Sequence, residues 1–80
     1  MLNDIIEAHE DEEILKADGF DSAVIGIDSN LRLIYSVSKC IQILIDTQGM
    51  DYEDAAEYFF FNVESAYVGE KTPIWCEDRF

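Results

Sequence analysis

Residues 23 to 35 contain two short apolar runs around a tight-turn sequence, and this pattern constrains the fold more than any other part of the chain. The runs, at positions 23 to 27 and 31 to 35, are rich in β-branched, aliphatic and aromatic residues, which favour strands. Asp28-Ser29-Asn30 lies between them and tolerates tight-turn backbone geometry. The segment therefore predicts a β-hairpin.

Two amphipathic helices are predicted after the hairpin. Ser36 or Ser38 caps the first, and Gly49 follows its end. The stripe that marks it as amphipathic is Val37, Cys40, Ile41, Leu44, Ile45 and Gln48. Asp51 caps the second, which continues to Gly69. Its inward face is Ala55, Ala56, Phe59, Phe60, Val63 and Ala66.

A third strand is predicted at residues 74 to 76, where Pro73 fits the start of an edge strand. With a helical N-terminal segment, the order is α-β-β-α-α-β. This order predicts an α+β fold, in which a small antiparallel three-stranded sheet, the hairpin plus the C-terminal strand, packs against two or three helices. We expect a single domain over residues 1 to 80, with an acidic helical segment at 1 to 17, a core at 18 to 76 and a frayed tail at 77 to 80.

Charge is concentrated at both ends of the chain. Eighteen acidic residues face five basic ones, for a net charge of −13, although 49% of the residues are hydrophobic. This combination is typical of a folded, strongly anionic domain. Its charge would repel nucleic acid phosphates and anionic membranes, so we expect a basic protein as partner, with no direct nucleic acid binding and no membrane. The short, acidic start does not resemble a signal peptide, which predicts a cytosolic protein.

Residues 4 to 13 are the densest acidic stretch. As one helix of about 15 Å, they would carry a charge every ~2.5 Å, against about one per 1.7 Å along duplex DNA. Imitation of DNA is therefore permitted without being required. The six carboxylates belong to Asp4, Glu7, Glu10, Asp11, Glu12 and Glu13.

The sequence contains no motif for catalysis, a cofactor or a metal. Cys40 and Cys76 lie far apart, and His9 is the only imidazole. Zinc sites need clustered thiolates and imidazoles, so we expect no metal and no cofactor, and the chain does not read as an enzyme. The two cysteines are either reduced thiols or a disulfide, which geometry alone decides.

Two groups of residues are candidates for binding. Tyr58, Phe61 and Trp75 are aromatic candidates for interface anchors. The second group is a polar cluster that either converges on a peptide or small ligand or satisfies backbone groups where the chain turns. Its members are Asn62, Tyr67, Glu70 and Thr72.

Several stretches between residues 18 and 75 resemble parts of known proteins: Gly19-Phe20-Asp21, Arg32-Leu33-Ile34-Tyr35, Glu57-Tyr58-Phe59, Phe61-Asn62-Val63 and Ala66-Tyr67-Val68-Gly69-Glu70-Lys71-Thr72-Pro73-Ile74. In these stretches the chain resembles a family of small proteins often encoded in bacteriophage genomes. It implies a phage accessory protein in the host cytoplasm and no catalytic residue.

Two functions of different kinds follow. The first is a protein that binds and inhibits or redirects a host protein, such as a nucleic-acid-binding or defence protein, through an acidic and aromatic surface. The second is a self-associating structural module, for example a homodimer that buries the same aromatic residues between copies.

Overall fold

The computed structural model describes residues 1 to 66 and 69 to 79. Helix α1 spans Leu2–Ala8, and a 3-10 turn at Asp21–Ala23 leads into strand β1, Val24–Ile27. Strand β2, Leu33–Ser36, runs directly into helix α2, Val37–Gln48. Helix α3, Tyr52–Tyr58, continues as a π-helix, Phe59–Glu64, before strand β3, Ile74–Cys76. The predicted α+β class and element order are confirmed.

The three strands form one mixed sheet in the order β1-β2-β3. β1 and β2 are antiparallel, as a hairpin requires, but β3 runs parallel to β2 with Tyr35 opposite Trp75. The prediction of a purely antiparallel sheet is therefore wrong. The helices between β2 and β3 carry the chain back to the start of β2, which is the long crossover that a parallel pair needs.

Helix α2 begins and ends where its local sequence predicts. Ser36 is its N-cap, and the Ser36 hydroxyl accepts a hydrogen bond from the Lys39 N–H at 3.1 Å. Gly49 terminates the helix in the left-handed conformation, with φ of 67°. Asp51 caps α3 by accepting a hydrogen bond from the Asp54 N–H at 2.8 Å. These caps fix the helix boundaries by short-range hydrogen bonds.

The core lies between the sheet and the helices. Phe59 is fully buried in it, and its ring centroid lies 6.4 Å from Phe20, 5.5 Å from Phe60 and 5.4 Å from Trp75. The other buried hydrophobic residues are Leu2, Phe20, Ala23, Val24, Leu33, Tyr35, Val37, Cys40, Ile41, Leu44 and Ala55. An aromatic cluster around Phe59 thus joins the π-helix to β3.

The end of the chain is anchored as far as residue 79, although the sequence predicted a frayed tail from residue 77. The Asp78 carboxylate accepts hydrogen bonds from the Ser36 hydroxyl and from the Ser38 N–H, the latter at 2.9 Å. Arg79 donates to Glu77 and Tyr52, and its guanidinium lies 4.7 Å from the centre of the Phe60 ring. Acidic side chains are stabilised at a helix start, so Asp78 finds a partner that its neighbours in sequence do not reveal.

The phenol of Tyr35 holds the N-terminal third against the sheet. Tyr35 is fully buried, and its hydroxyl accepts a hydrogen bond from the Ala17 N–H at 2.8 Å. Burial raises the pKa of Tyr35, so the phenol stays neutral at physiological pH.

Replacing Tyr35 with phenylalanine is expected to lower the free energy of unfolding by about 1 kcal/mol, because the Ala17 N–H loses its acceptor. The hydrogen-exchange rate of the Ala17 amide should rise. Tyr52→Phe is the control, because within the described ranges the exposed Tyr52 hydroxyl meets only the Arg79 side chain, and it should change stability by less than about 0.5 kcal/mol. Equal effects of the two substitutions would contradict a stabilising role for the hydrogen bond between Ala17 and Tyr35.

Candidate functional site

The six predicted N-terminal carboxylates are exposed, but they do not follow one helix. α1 ends at Ala8, and the chain then turns, with the Glu12 N–H donating to the His9 carbonyl at 2.9 Å. The charge spacing of a continuous helix over residues 4 to 13 therefore does not apply, and the comparison with the charge ladder of DNA loses its geometric basis. Asp4 and Glu7 lie on α1, whereas Glu10, Asp11, Glu12 and Glu13 follow it.

This acidic N-terminal segment is fixed to the core by its apolar residues. Leu2 is buried, and Ile5 and Ile14 pack against the core cluster. In the described part of the chain, the one ion pair joins Arg79 to Glu77, so none of the six carboxylates is neutralised by a basic side chain there. The segment therefore contributes an uncompensated negative field from a fixed position.

Tyr58 and Phe61 lie together on the surface. The sequence placed them off the inward stripe, and their side chains are 44% and 73% exposed. They line a shallow hollow of about 380 Å³. We call this surface the α3 patch, and its residues are Met50, Asp54, Glu57, Tyr58, Phe61 and Asn62. The patch combines two exposed aromatic rings with two carboxylates.

Trp75, the third aromatic candidate, does not belong to the α3 patch. Its ring packs on Tyr35 at 5.1 Å and edge-on to Phe59 at 5.4 Å between centroids. It is half-buried at the margin of the core. Trp75 is therefore chiefly a packing residue that exposes only part of its ring.

The three described residues of the predicted polar cluster, Asn62, Glu70 and Thr72, do not all line one site. The Asn62 amide donates to the Tyr58 carbonyl at 3.2 Å, which satisfies a backbone group of its own helix. The Thr72 carbonyl accepts from the Arg32 guanidinium at 2.7 Å, and Glu70 lies in a separate hollow beside Arg32. Asn62 and Thr72 do border one small hollow of about 200 Å³. Tyr67 falls outside the described residues.

Both cysteines are free thiols. Cys40 is buried, and burial raises its pKa to about 12, with a smaller contribution from the Asp78 carboxylate. A thiol with such a pKa stays protonated and is a poor nucleophile, so Cys40 acts as a small core residue. Within residues 1 to 66 and 69 to 79, no cluster of three or more histidine, cysteine or carboxylate side chains is arranged to hold a metal ion.

The structure has a second surface feature that the sequence patterns did not predict. The π-helix and β3 border a groove of about 630 Å³. We call it the β3 groove, and its lining includes the aromatic residues Phe60 and Trp75 and the charged residues Arg32, Glu64 and Glu77. The predicted helix to Gly69 instead changes to π-winding at Phe59 and ends at Glu64. No hydrophobic period distinguishes a single π-helical turn from an α-helix, but such turns occur often at functional sites.

None of the helices in the described ranges combines the length and the apolar character that a membrane crossing requires. Comparison of the chain with protein-family models, with curated proteins and with solved structures found no match. Function must therefore be inferred from the α3 patch, the acidic N-terminal segment and the β3 groove.

Proposed function

We propose that the chain is a phage accessory protein that acts in the host cytoplasm by binding a basic host protein through the α3 patch, and so inhibits or redirects that protein. The observation that carries the proposal is the joint exposure of Tyr58 and Phe61 beside Asp54 and Glu57. Aromatic residues dominate the centres of protein interfaces, and charged groups at the rim select and orient the partner.

The net charge of −13 supports the choice of partner. Negative charge on the acidic N-terminal segment attracts a basic surface over distances up to about 8 Å, the screening length at physiological salt, and over longer distances at lower salt. Contact through the α3 patch would then determine how long the complex lasts, because affinity within one interface depends mainly on dissociation. The two acidic features thus have separate roles, in association and in retention.

Affinity capture from bacterial lysate at low and high salt, with three forms of the protein, tests this division. Wild type should recover a basic protein at low salt. The double variant Tyr58→Ala and Phe61→Ala should lose it, because truncating hot-spot residues costs about 2 kcal/mol or more each. The matched control neutralises charge outside the lining of the patch, by Glu10→Gln, Asp11→Asn, Glu12→Gln and Glu13→Gln, and should reduce the recovery at low salt without abolishing it, because it slows association alone.

Substitution is preferable to deletion of the acidic N-terminal segment, because Leu2 belongs to the core. Recovery of no basic protein by wild type, or equal recovery by the double variant, would sink the proposal.

Self-association through the same patch is the competing function. Pairing two copies would bury Phe61, but it would also bring Asp54 and Glu57 of each copy close to those of the other and oppose two charges of −13. Light scattering at high protein concentration separates the two functions. A stable dimer that dissociates on Phe61→Ala would favour self-association.

A further inference from the structure

A small hollow lies between the C-terminal end of α2 and the turn at Asp18 and Gly19. Its volume is about 280 Å³. Pockets for free small molecules usually enclose about 300 to 1,000 Å³, so this hollow suits a single side chain of a larger partner. We call it the Asp18 hollow, and its lining includes Asp18, Phe20, Leu44, Gln48, Met50 and Tyr58.

The Asp18 hollow continues the α3 patch. Met50 and Tyr58 line both surfaces, so a partner that covers the exposed Tyr58 ring also reaches the hollow. Phe20 and Leu44 are buried members of the core and form an apolar wall. An apolar wall can hold the methylene stem of a long side chain while the charged end of that side chain stays close to water.

The charge at the Asp18 hollow is negative on both sides. Asp18 is exposed, and it is the one charged residue among the described residues that line the hollow. On the other side α2 ends at Gln48, and its last turn contains no basic residue. The last carbonyl groups of a helix have no partner within the helix and form the negative end of its dipole. The nearby N-terminus of α3 is already capped by its own Asp51.

No basic residue lines the Asp18 hollow in the described part of the chain. Lys16, the nearest basic residue in sequence, lines a neighbouring hollow that Asp18 also borders, but the described residues contain no ion pair between the two. The β3 groove differs, because Arg32 lines it and the Arg79 guanidinium already lies over one of its aromatic rings. The Asp18 hollow is therefore the surface that favours a positive charge.

The turn that carries Asp18 is held in place by its neighbours. The Phe20 N–H donates to the Ala17 carbonyl at 3.2 Å, and Gly19 takes the left-handed φ of 90° that the turn requires. Phe20 is buried, and the Ala17 N–H donates to the Tyr35 hydroxyl. The carboxylate is thus positioned before a partner arrives, which reduces the entropy lost on binding.

We infer that the Asp18 hollow receives one lysine or arginine side chain of the partner that binds the α3 patch. The inference rests on the proposed function and adds a subsite to it. The stem of the basic side chain packs against Phe20, Leu44 and Met50. Its charged end lies between the Asp18 carboxylate and the carbonyl groups at the end of α2.

NMR titration of the full chain with blocked tripeptides tests the inference without a host protein. The probes are Gly-Lys-Gly, Gly-Arg-Gly and the uncharged Gly-norleucine-Gly. The better of the two basic probes should shift the backbone amides of Gly19 and Gly49 and should bind about threefold to tenfold more tightly than the norleucine probe. Equal binding of the norleucine probe, or shifts only at other amides, would overturn the inference.

Matched variants locate the site. Gln48→Lys and Gln42→Lys make the same change at two exposed positions of α2, but only Gln48 lines the hollow. Gln48→Lys places an ammonium group of the protein itself at the hollow, so it should weaken binding of the basic probe about threefold or more, against less than about twofold for Gln42→Lys. Asp18→Asn should likewise weaken binding more than Glu10→Gln does. Equal effects within both pairs would show general attraction to the charge of −13 and overturn the site.

Failure of this inference can be told from failure of the proposed function. In the lysate capture, a basic protein that Gln48→Lys and Gln42→Lys recover equally would overturn the subsite and leave the proposed function standing. Recovery of no basic protein by wild type would overturn the proposed function, and with it the partner assigned to the hollow. If concentrating the protein alone shifts the Gly19 and Gly49 amides, the hollow belongs to a second copy and the inference fails.

Discussion

Replacing Phe59 with alanine is expected to lower the free energy of unfolding by about 3 to 5 kcal/mol, the largest effect of any single substitution considered. Phe59 is fully buried and touches the rings of Phe20, Phe60 and Trp75. Its removal leaves a cavity where the π-helix, β3 and the 3-10 turn meet. Domains of this size are stable by roughly 5 kcal/mol, so the variant should be close to unfolded at room temperature.

Urea denaturation, followed by circular dichroism and by the emission of Trp75, measures this loss. Phe61→Ala is the matched control, because it removes the same kind of side chain two residues along the chain, where that side chain is 73% exposed. It should change the free energy of unfolding by less than about 0.5 kcal/mol. A comparable loss in both variants would show that Phe61 also supports the fold, and would weaken its use as a test of binding.

Replacing Asp78 with alanine is expected to cost about 1 to 2 kcal/mol, because the Ser38 N–H and the Ser36 hydroxyl at the start of α2 lose their acceptor. Asp78→Asn removes the charge while retaining a hydrogen-bond acceptor, and so isolates the pH-dependent part of the contribution of Asp78 to the free energy of unfolding. Hydrogen bonds from Ser36, and then from Ser38, lower the pKa of Asp78 below its ordinary value of 3.8. The folded state therefore binds this proton less readily than the unfolded state does.

The sign of the pH dependence follows from that difference. The advantage of wild type over Asp78→Asn should be complete above the ordinary pKa and should disappear as pH falls through the lower pKa of the folded state. Urea denaturation of both proteins from neutral pH to about pH 2 checks this window. Asp46→Asn, at the other end of α2, is the control and should not lower stability at neutral pH, because a negative charge is unfavourable near a helix C-terminus. A constant difference between wild type and Asp78→Asn across the range would contradict the role of the Asp78 charge.

Local signals account for what the sequence predicted correctly. The turn at Asp28-Ser29-Asn30, the Ser36 cap and the Gly49 stop each depend on a few neighbouring residues, and the structure has all three. The hydrophobic stripe likewise predicted the burial of Val37, Cys40, Ile41 and Leu44. Side-chain hydrogen bonds and helical periodicity were therefore enough for the element order.

The errors involve contacts between distant residues. A run of three apolar residues does not specify strand direction, so the parallel pairing of β3 with β2 could not be predicted. Asp78 reaches α2 across about half the chain, and nothing near it in sequence predicts that contact. The packing of Trp75 on Tyr35 and Phe59 was not predicted either, because those rings come from other elements.

Contacts between residues far apart in sequence also explain why the candidate binding surfaces were predicted only in part. Tyr58 and Phe61 fall off the inward stripe of α3, and this alone predicted their exposure. The β3 groove needs both the π-winding at Phe59 and the edge position of β3, neither of which has a sequence signature.

The parallel pairing of β3 also sets the order in which contacts can close. The β1 and β2 hairpin closes a short loop, whereas Ile34 meets Ile74 only after the ends of a loop of about forty residues come together. Closing a loop of that length costs more conformational entropy than closing the hairpin loop. That cost is offset only when Trp75 and Asp78 reach their partners. The hairpin and α2 can therefore form early in folding, whereas β3 docks late. For the same reason we expect local unfolding to begin at β3.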